Sequence, residues 1–202
     1  MIKFYKLILL VSLIIVGCKT KEIGNNKIRQ SINNFNMNIF NEEGKKLVLI
    51  TSPYSSFDKD KNSFFLNDTT INIFKDNKID YIINSDKSKL TNNKLLELNG
   101  NVLVNTLVQE GDRLYANSFL WNMQNSEYLL VGNVKFENNS IILSSNKAIL
   151  NKADNIIEFF NPVKYKIKNS KNESGYEINS ENAYYNIENK SVSFSSKVGR
   201  VR

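Results

Sequence analysis

One phrase returns along this chain at a nearly fixed interval, and it dictates strands. In "LLELNGNVLVNTLV" (residues 95–108), Leu96, Leu98, Gly100, Val102, Val104 and Val108 share one side of a period of two. Glu97, Asn99, Asn101 and Asn105 share the other. Apolar and polar residues that alternate in this way form a half-buried strand. A near-copy, "YLLVGNVKFEN", begins at Tyr128, so Gly-Asn-Val recurs after 32 residues. "NIIEFFNPVKYKI" keeps the same period, with Ile157, Phe159, Val163, Tyr165 and Ile167 on one face. Clusters such as "FKDNK", "QEGDR", "FENNS" and "NKADN" punctuate these runs as hairpin turns. The expected fold is all-β and antiparallel, with no long helix.

A second phrase carries a small residue followed by another three positions on. It reads "ITSPYS" (Ser52, Ser55), "INSDKS" (Ser85, Ser88), "LSSNKA" (Ser145, Ala148) and "INSENA" (Ser180, Ala183). "LYANSFLWN" is a looser copy, with Ala116 but Phe119. The first small residues, at 52, 85, 116, 145 and 180, are 33, 31, 29 and 35 apart. Valines 102, 134, 163 and 198 follow their small residue at a distance of 17 or 18, and Ile71 stands as a first member. The unit is therefore strand–turn–strand, about 30 residues long and present about five times. One such unit cannot bury its own apolar face, so neighbours must make it continuous.

The 202 residues, 41% of them apolar, suffice for one domain with a sizeable core. The abundant asparagine is read as a compositional bias rather than a functional signal. A net charge of +7 favours anionic partners, although the basic residues are scattered and a generally basic solvated surface reads them as well. Lys3 and Lys6 precede the apolar run Leu7–Val16, which is too short for an ordinary membrane span. Gly17 then leads into the only cysteine, Cys18. This resembles a bacterial lipoprotein signal, with residues 1–17 removed and Cys18 lipidated; an uncleaved anchor helix is the alternative. Either tethers the chain to a membrane and exports the residues beyond Cys18. Residues 18–43 read as a polar tether. Ile28, Ile32, Phe35 and Ile39 fall at roughly helical spacing, allowing a short helix at most. The globular domain is expected over 44–202.

The combined pattern "L-x-L-x-G-N-V … L-x-A-x-x-x-x-W-N … V-x-G-N-V" resembles the LptC family of periplasmic lipopolysaccharide-export proteins, over roughly Gly44 to Arg202. The resemblance implies a β-jellyroll of two splayed antiparallel sheets with an apolar interior for acyl chains. It implies three partners: lipopolysaccharide, an inner-membrane ATP-binding-cassette (ABC) transporter that supplies it, and the next jellyroll of a head-to-tail bridge. The implied place is the periplasm of a Gram-negative-type bacterium, anchored to the inner membrane. Two departures stand out. Pro162 in "FNPVKY" replaces Asn and should lie at an edge or bulge, and "SSKVGRV" lacks the glycine.

The residues support a lipid path on their own terms as well. Small residues recurring on an inward face would leave room, and repetition would draw that room into a slot. Acyl chains need only a dry apolar wall, worth about 25 cal/mol per Å² buried. The expected groove residues are Leu98, Val102, Val104, Leu114, Tyr128, Leu130, Val134, Phe136, Leu143, Phe159, Val163, Tyr165, Ile178 and Phe194. The same residues would equally fill an ordinary closed sandwich. Gly100 and Gly132 would relieve crowding on the inward face or permit a bulge. "KSVSFSSKVGRVR" runs out as an unpaired edge, giving a candidate docking strand with Val192, Phe194, Val198 and Val201; Lys197, Arg200 and Arg202 could instead blunt it.

Enzyme chemistry finds little support. The chain has no histidine and one cysteine, which removes histidine-based triads and leaves the usual zinc ligand sets unfilled. No glycine-rich phosphate loop precedes a helix. "DKDKN" (Asp58, Asp60, Asn62) opens like a calcium loop, but Ser63 and Thr69 stand where the turn glycine and closing glutamate belong. No cofactor, metal or nucleic-acid partner is expected. The competing reading is a structural or adhesive β-repeat surface lipoprotein.

Overall fold

The computed structural model describes residues 29–106, 111–125, 127–168 and 174–195. Those residues form eleven strands and no helix: β1 Gln30–Phe40, β2 Lys46–Asp58, β3 Ser63–Lys75, β4 Lys78–Thr91, β5 Leu95–Thr106, β6 Arg113–Asn122, β7 Glu127–Glu137, β8 Ile141–Asn151, β9 Ile156–Lys168, β10 Ser174–Asn186 and β11 Ser191–Ser195. Each pairs antiparallel with the next, in the order of the chain. The all-β jellyroll expectation holds, with one refinement. The two layers are the halves of a single sheet bent along a line that crosses almost every strand.

That line is where the repeat lives. Pairing skips a step between Asn99 and Val102 opposite Ser118 and Ala116, and again between Val131 and Val134 opposite Lys147 and Ser145. Similar breaks lie between Asn84 and Lys87, between Ser144 and Lys147, and between Ser180 and Asn182. Each is a bulge, which bends a strand and sharpens its twist. Pro162 sits at one of them, as expected. Gly100 and Asn101 both have positive φ (78° and 45°), as do Gly132 and Asn133 (79° and 49°). Glycine and asparagine tolerate that region where other residues are strained. The recurring spacing of Gly-Asn is thus the spacing of a corner.

The glycines do not relieve crowding on the inward face. A Cβ on Gly100 would lie 2.7 Å from Asp86 Oδ2, and one on Gly132 would lie 2.9 Å from Asn117 Nδ2, both exposed side chains. Gly132→Ala is expected to cost about 1–3 kcal/mol, from backbone strain plus displacement of Asn117. Gly44 has a similar φ of 76° but open space around it, so Gly44→Ala should cost only the strain, about 1 kcal/mol. Urea midpoints of the two variants check the difference.

The small residues flank the corner on the inner side. Just before it, Ser52, Ser85 and Ser145 are buried. Their hydroxyls lie 2.8, 3.4 and 2.8 Å from the carbonyl oxygens of Tyr54, Lys87 and Lys147, two residues on. Ser180 does the same to Asn182 at 3.0 Å. A short side chain that donates back to its own strand closes the bend. Across the strands, small and large residues alternate: Ser55 pairs Leu66, then Ser88, then Leu98. Further on, Leu130 pairs Ala148, then Phe159, then Ala183. Large side chains thus occupy the space above small ones on neighbouring strands. The expected empty slot beneath the small residues is filled, which is a correction to the sequence reading.

Two further expectations change. Residues 30–40 form a strand rather than part of a polar tether, so the sheet begins at Gln30, ahead of Gly44. Asn34, with φ of 55°, kinks the strand opposite Pro53 without changing its register, leaving Ile32, Phe35, Met37 and Ile39 facing inward. The three-residue step from Ile32 to Phe35 across this kink mimics helical spacing. Asparagine, set aside as bias, carries most of the turns: among the described residues, every non-glycine residue of positive φ except Lys190 is Asn or Asp. Asp76 and Asn77 (φ 51° and 61°) make a two-residue hairpin between Lys75 and Lys78. "DKDKN" is likewise a hairpin turn, in which Asp58 Oδ1 accepts the Lys61 amide at 3.2 Å. Cys18, Val198 and Val201 lie outside the described residues.

Candidate functional site

Bending every strand at its middle gives the sheet two lips. Turns that follow odd-numbered strands lie on the first lip, and turns that follow even-numbered strands on the second. The lips meet across the interior with an offset of several strands. Phe136 of β7 packs on Tyr185 of β10, ring centroids 4.3 Å apart. Tyr81 of β4 meets Leu150 and Ile157 of β8 and β9. Val48 and Ile73 of β2 and β3 face Trp121 and Tyr128 of β6 and β7 across a shared cavity.

The apolar layer between the lips contains most of the expected groove. Leu98, Val102, Val104, Leu114, Tyr128, Leu130, Val134, Phe136, Leu143, Phe159 and Val163 are all buried and belong to one continuous core. Tyr165 is half-buried against it. Burial then fails toward the C-terminal edge: Ile167, Ile178 and Phe194 are 37%, 41% and 38% exposed. There the first-lip halves of β9 and β10 have few later strands to cover them. Tyr165 and Phe194 touch edge to face at 5.3 Å. Val192, the other described member of the expected docking strand, is half-buried in β11.

The interior is tightly packed. Between Tyr81, Val104, Leu114, Phe136, Leu150, Ile157 and Ile187 a cavity of only about 10 Å³ remains, no more than one water needs. Nearer the N-terminal strands the lips stand apart around 170 Å³, lined by Ile39, Leu47, Val48, Ile73, Phe74, Trp121, Met123, Asn125, Tyr128 and Lys152.

Among the described residues, polar contacts join the lips at two places. Lys152 Nζ, after β8, lies 4.0 Å from Asp80 Oδ2 on β4. Tyr185 donates its hydroxyl to Asp112 Oδ2 at 3.4 Å and accepts from Asn138 Nδ2 at 3.2 Å. Burial pushes the Asp80 carboxyl up, against the opposing pull of Lys152 and Lys75. Burial likewise pushes Asp112 up, against Lys190 and its hydrogen bonds from Tyr185 and Asn138. The Tyr81 and Tyr185 hydroxyls are each pushed up to about 12, mainly by burial, with the adjacent carboxylate adding to it. These seam residues escaped the sequence reading, as did Trp121 and Met123; "L-W-N-M" at a strand end was the one local signal for them.

A raised carboxyl value means that the native state holds its proton more firmly than the unfolded chain. That stabilisation is complete below the ordinary value of 3.8 and is lost as pH rises through the folded value. Asp80 and Asp112 therefore contribute a fall of the unfolding midpoint as pH rises from about 4, and Asp112→Asn should shift the slope of midpoint against pH upward by removing its share. An unchanged slope would contradict the assignment.

A sequence model of the family described as "Lipopolysaccharide-assembly, LptC-related" matches residues 7–128 of the chain. No curated protein matches it. Among solved structures it is similar to LptH of Pseudomonas aeruginosa, described as the LptA-homologous periplasmic component of the conserved lipopolysaccharide transport device. Identity is 7% over 76% of this chain and 85% of that one, with a TM-score of 0.41.

Proposed function

The chain belongs to the LptC-related family of lipopolysaccharide-assembly proteins, and from that premise we propose that it carries lipopolysaccharide acyl chains along the interior of its bent sheet. It is a non-enzymatic component of periplasmic lipopolysaccharide transport. In this reading, an inner-membrane ABC transporter supplies the lipid and the next jellyroll receives it. Lipidated Cys18 holds the chain at the inner membrane. The supporting observation is an apolar inner face that continues from β2 to β10 and loses its cover at Tyr165, Ile167, Ile178 and Phe194. A following jellyroll that pairs with β11 through Val192, Phe194, Val198 and Val201 would extend both the sheet and its inner face.

Packing sets a condition on this reading. With about 10 Å³ between Tyr81 and Ile157, the lips must part for a chain to pass. The cost falls on apolar contacts and on the polar contacts at the seam, without breaking a strand ladder.

One experiment tests the carrier. A photo-crosslinking residue at Val134 or Phe159, both buried inward, is expected to capture lipopolysaccharide in cells. The same residue at Asn133, exposed at the corner, should not. Equal capture at both positions, or none at either, would favour the second reading, a structural β-repeat surface lipoprotein with a permanently shut interior. The tight packing is the observation on that side.

A further inference from the structure

The seam changes character at one residue. On the N-terminal side of Lys152 the lips enclose 170 Å³, walled by Val48, Ile73, Phe74, Trp121, Met123 and Tyr128. On the other side, past Tyr81, about 10 Å³ remains. Lys152 lies at this boundary, its ammonium 4.0 Å from Asp80 Oδ2 and 6.0 Å from the centre of the Tyr81 ring. A second cation, Lys75, also acts on the Asp80 carboxyl. A third, Lys46, lies 5.6 Å over the Phe74 ring on the cavity wall.

We infer that this end of the seam is a binding seat for an anionic amphiphile: one apolar chain enters the 170 Å³ cavity, and its phosphate or carboxylate takes Lys152 from Asp80. The inference rests on the lipid-carrier reading and adds where a chain first seats and which headgroup chemistry holds it.

Three features carry it. An apolar cavity that ends on a lysine matches the two halves of an ionised lipid, whereas a neutral ligand would leave that lysine to Asp80. The existing ion pair is a poor one. Its 4.0 Å separation lies at the outer limit of such contacts, and burial opposes the charged form of both partners. A free anion can approach to hydrogen-bonding distance, about 2.8 Å, which the Asp80 side chain, fixed on β4, does not. Burial also raises the Asp80 carboxyl, so its charged form is held less firmly there than in water. Asp80 thus acts as an internal stand-in for the headgroup.

Trp121, the only tryptophan in the chain, lines the cavity and supplies the readout. The full chain is titrated with dodecyl phosphate and with dodecyl maltoside, each below its micelle concentration, following Trp121 emission. Dodecyl phosphate is expected to give a saturable change and to bind on the order of tenfold tighter than the neutral amphiphile. Lys152→Gln should abolish that preference, and Asp80→Asn should strengthen it by removing the competing carboxylate. Lys166→Gln, which breaks an exposed pair with Glu177 elsewhere, controls for the chain's net positive charge and should leave the preference intact. Equal binding of the two amphiphiles, or a preference that survives Lys152→Gln or falls equally in Lys166→Gln, overturns the headgroup seat and leaves the carrier reading standing. A silent Trp121 with both amphiphiles also overturns the seat; the carrier reading falls with it only if crosslinking at Phe159 fails as well.

Discussion

Tyr185→Ala is expected to destabilise the fold by about 3–5 kcal/mol, the range for removing a large aromatic from a packed core. Tyr185 is fully buried and sits where the two lips meet, with its ring 4.3 Å from that of Phe136. Its hydroxyl ties the second lip to Asp112, across 73 residues of sequence. Tyr185→Phe separates the two contributions. It keeps the ring and leaves Asp112 and Asn138 without their shared partner, a loss of about 1–3 kcal/mol. Urea unfolding of the two variants reads the difference directly. If Phe costs as much as Ala, the hydroxyl rather than the ring holds the lips together. If Ala costs under about 1 kcal/mol, the lips are not packed against each other and the interior is open.

The architecture was legible wherever the signal was local. Alternation in "LLELNGNVLV" gave the strands, and the return of Gly-Asn marked the corner, because only such residues occupy successive positive-φ positions without strain. The inward, buried positions were legible for the same reason, since period two assigns a face. β1 was misread because the positive-φ kink at Asn34 shifts the inward face by one residue and turns a strand pattern into an apparent helical one. The small residues were placed correctly and explained wrongly. Their purpose becomes visible only when Ala148 is seen beside Leu130 and Phe159 on adjoining strands. Asp80, Asp112 and Lys152 could not be nominated at all. Each stands at the end of a strand beside a turn, as solvated charges commonly do. Their partners are set by how far the lips are offset, and a repeat of about 30 residues carries no mark of that offset.

The offset also bears on assembly. A sheet whose halves met strand for strand would cover itself completely. Here each half meets a later strand, so the inner face runs past its own cover at Tyr165, Ile167 and Ile178. An exposed apolar surface continuous with a core suits another bent sheet of the same kind, which would supply the missing lip.

Phe159→Ala carries the second large effect, because stability and function should move in opposite directions. Phe159 is fully buried and paired across the sheet with Ala148 on one side and Ala183 on the other, both fully buried. Truncation would leave three alanines in a row beneath the interior, with a cost of about 3–5 kcal/mol. Ala148→Leu alone overfills the site and should cost about 1–3 kcal/mol. Combined, the two changes should recover part of the loss, because the leucine fills space that Phe159 vacates, and a double-mutant cycle measures that coupling. Strict additivity would contradict the alternation of small and large residues as the basis of the repeat. An apolar void of this kind stays dry and accepts apolar guests, so Phe159→Ala should bind acyl chains more readily than the intact protein. Ala148→Leu on top of it should remove the gain. The packed interior would then be a barrier that the lipid must open, set by the same large side chains that stabilise the fold.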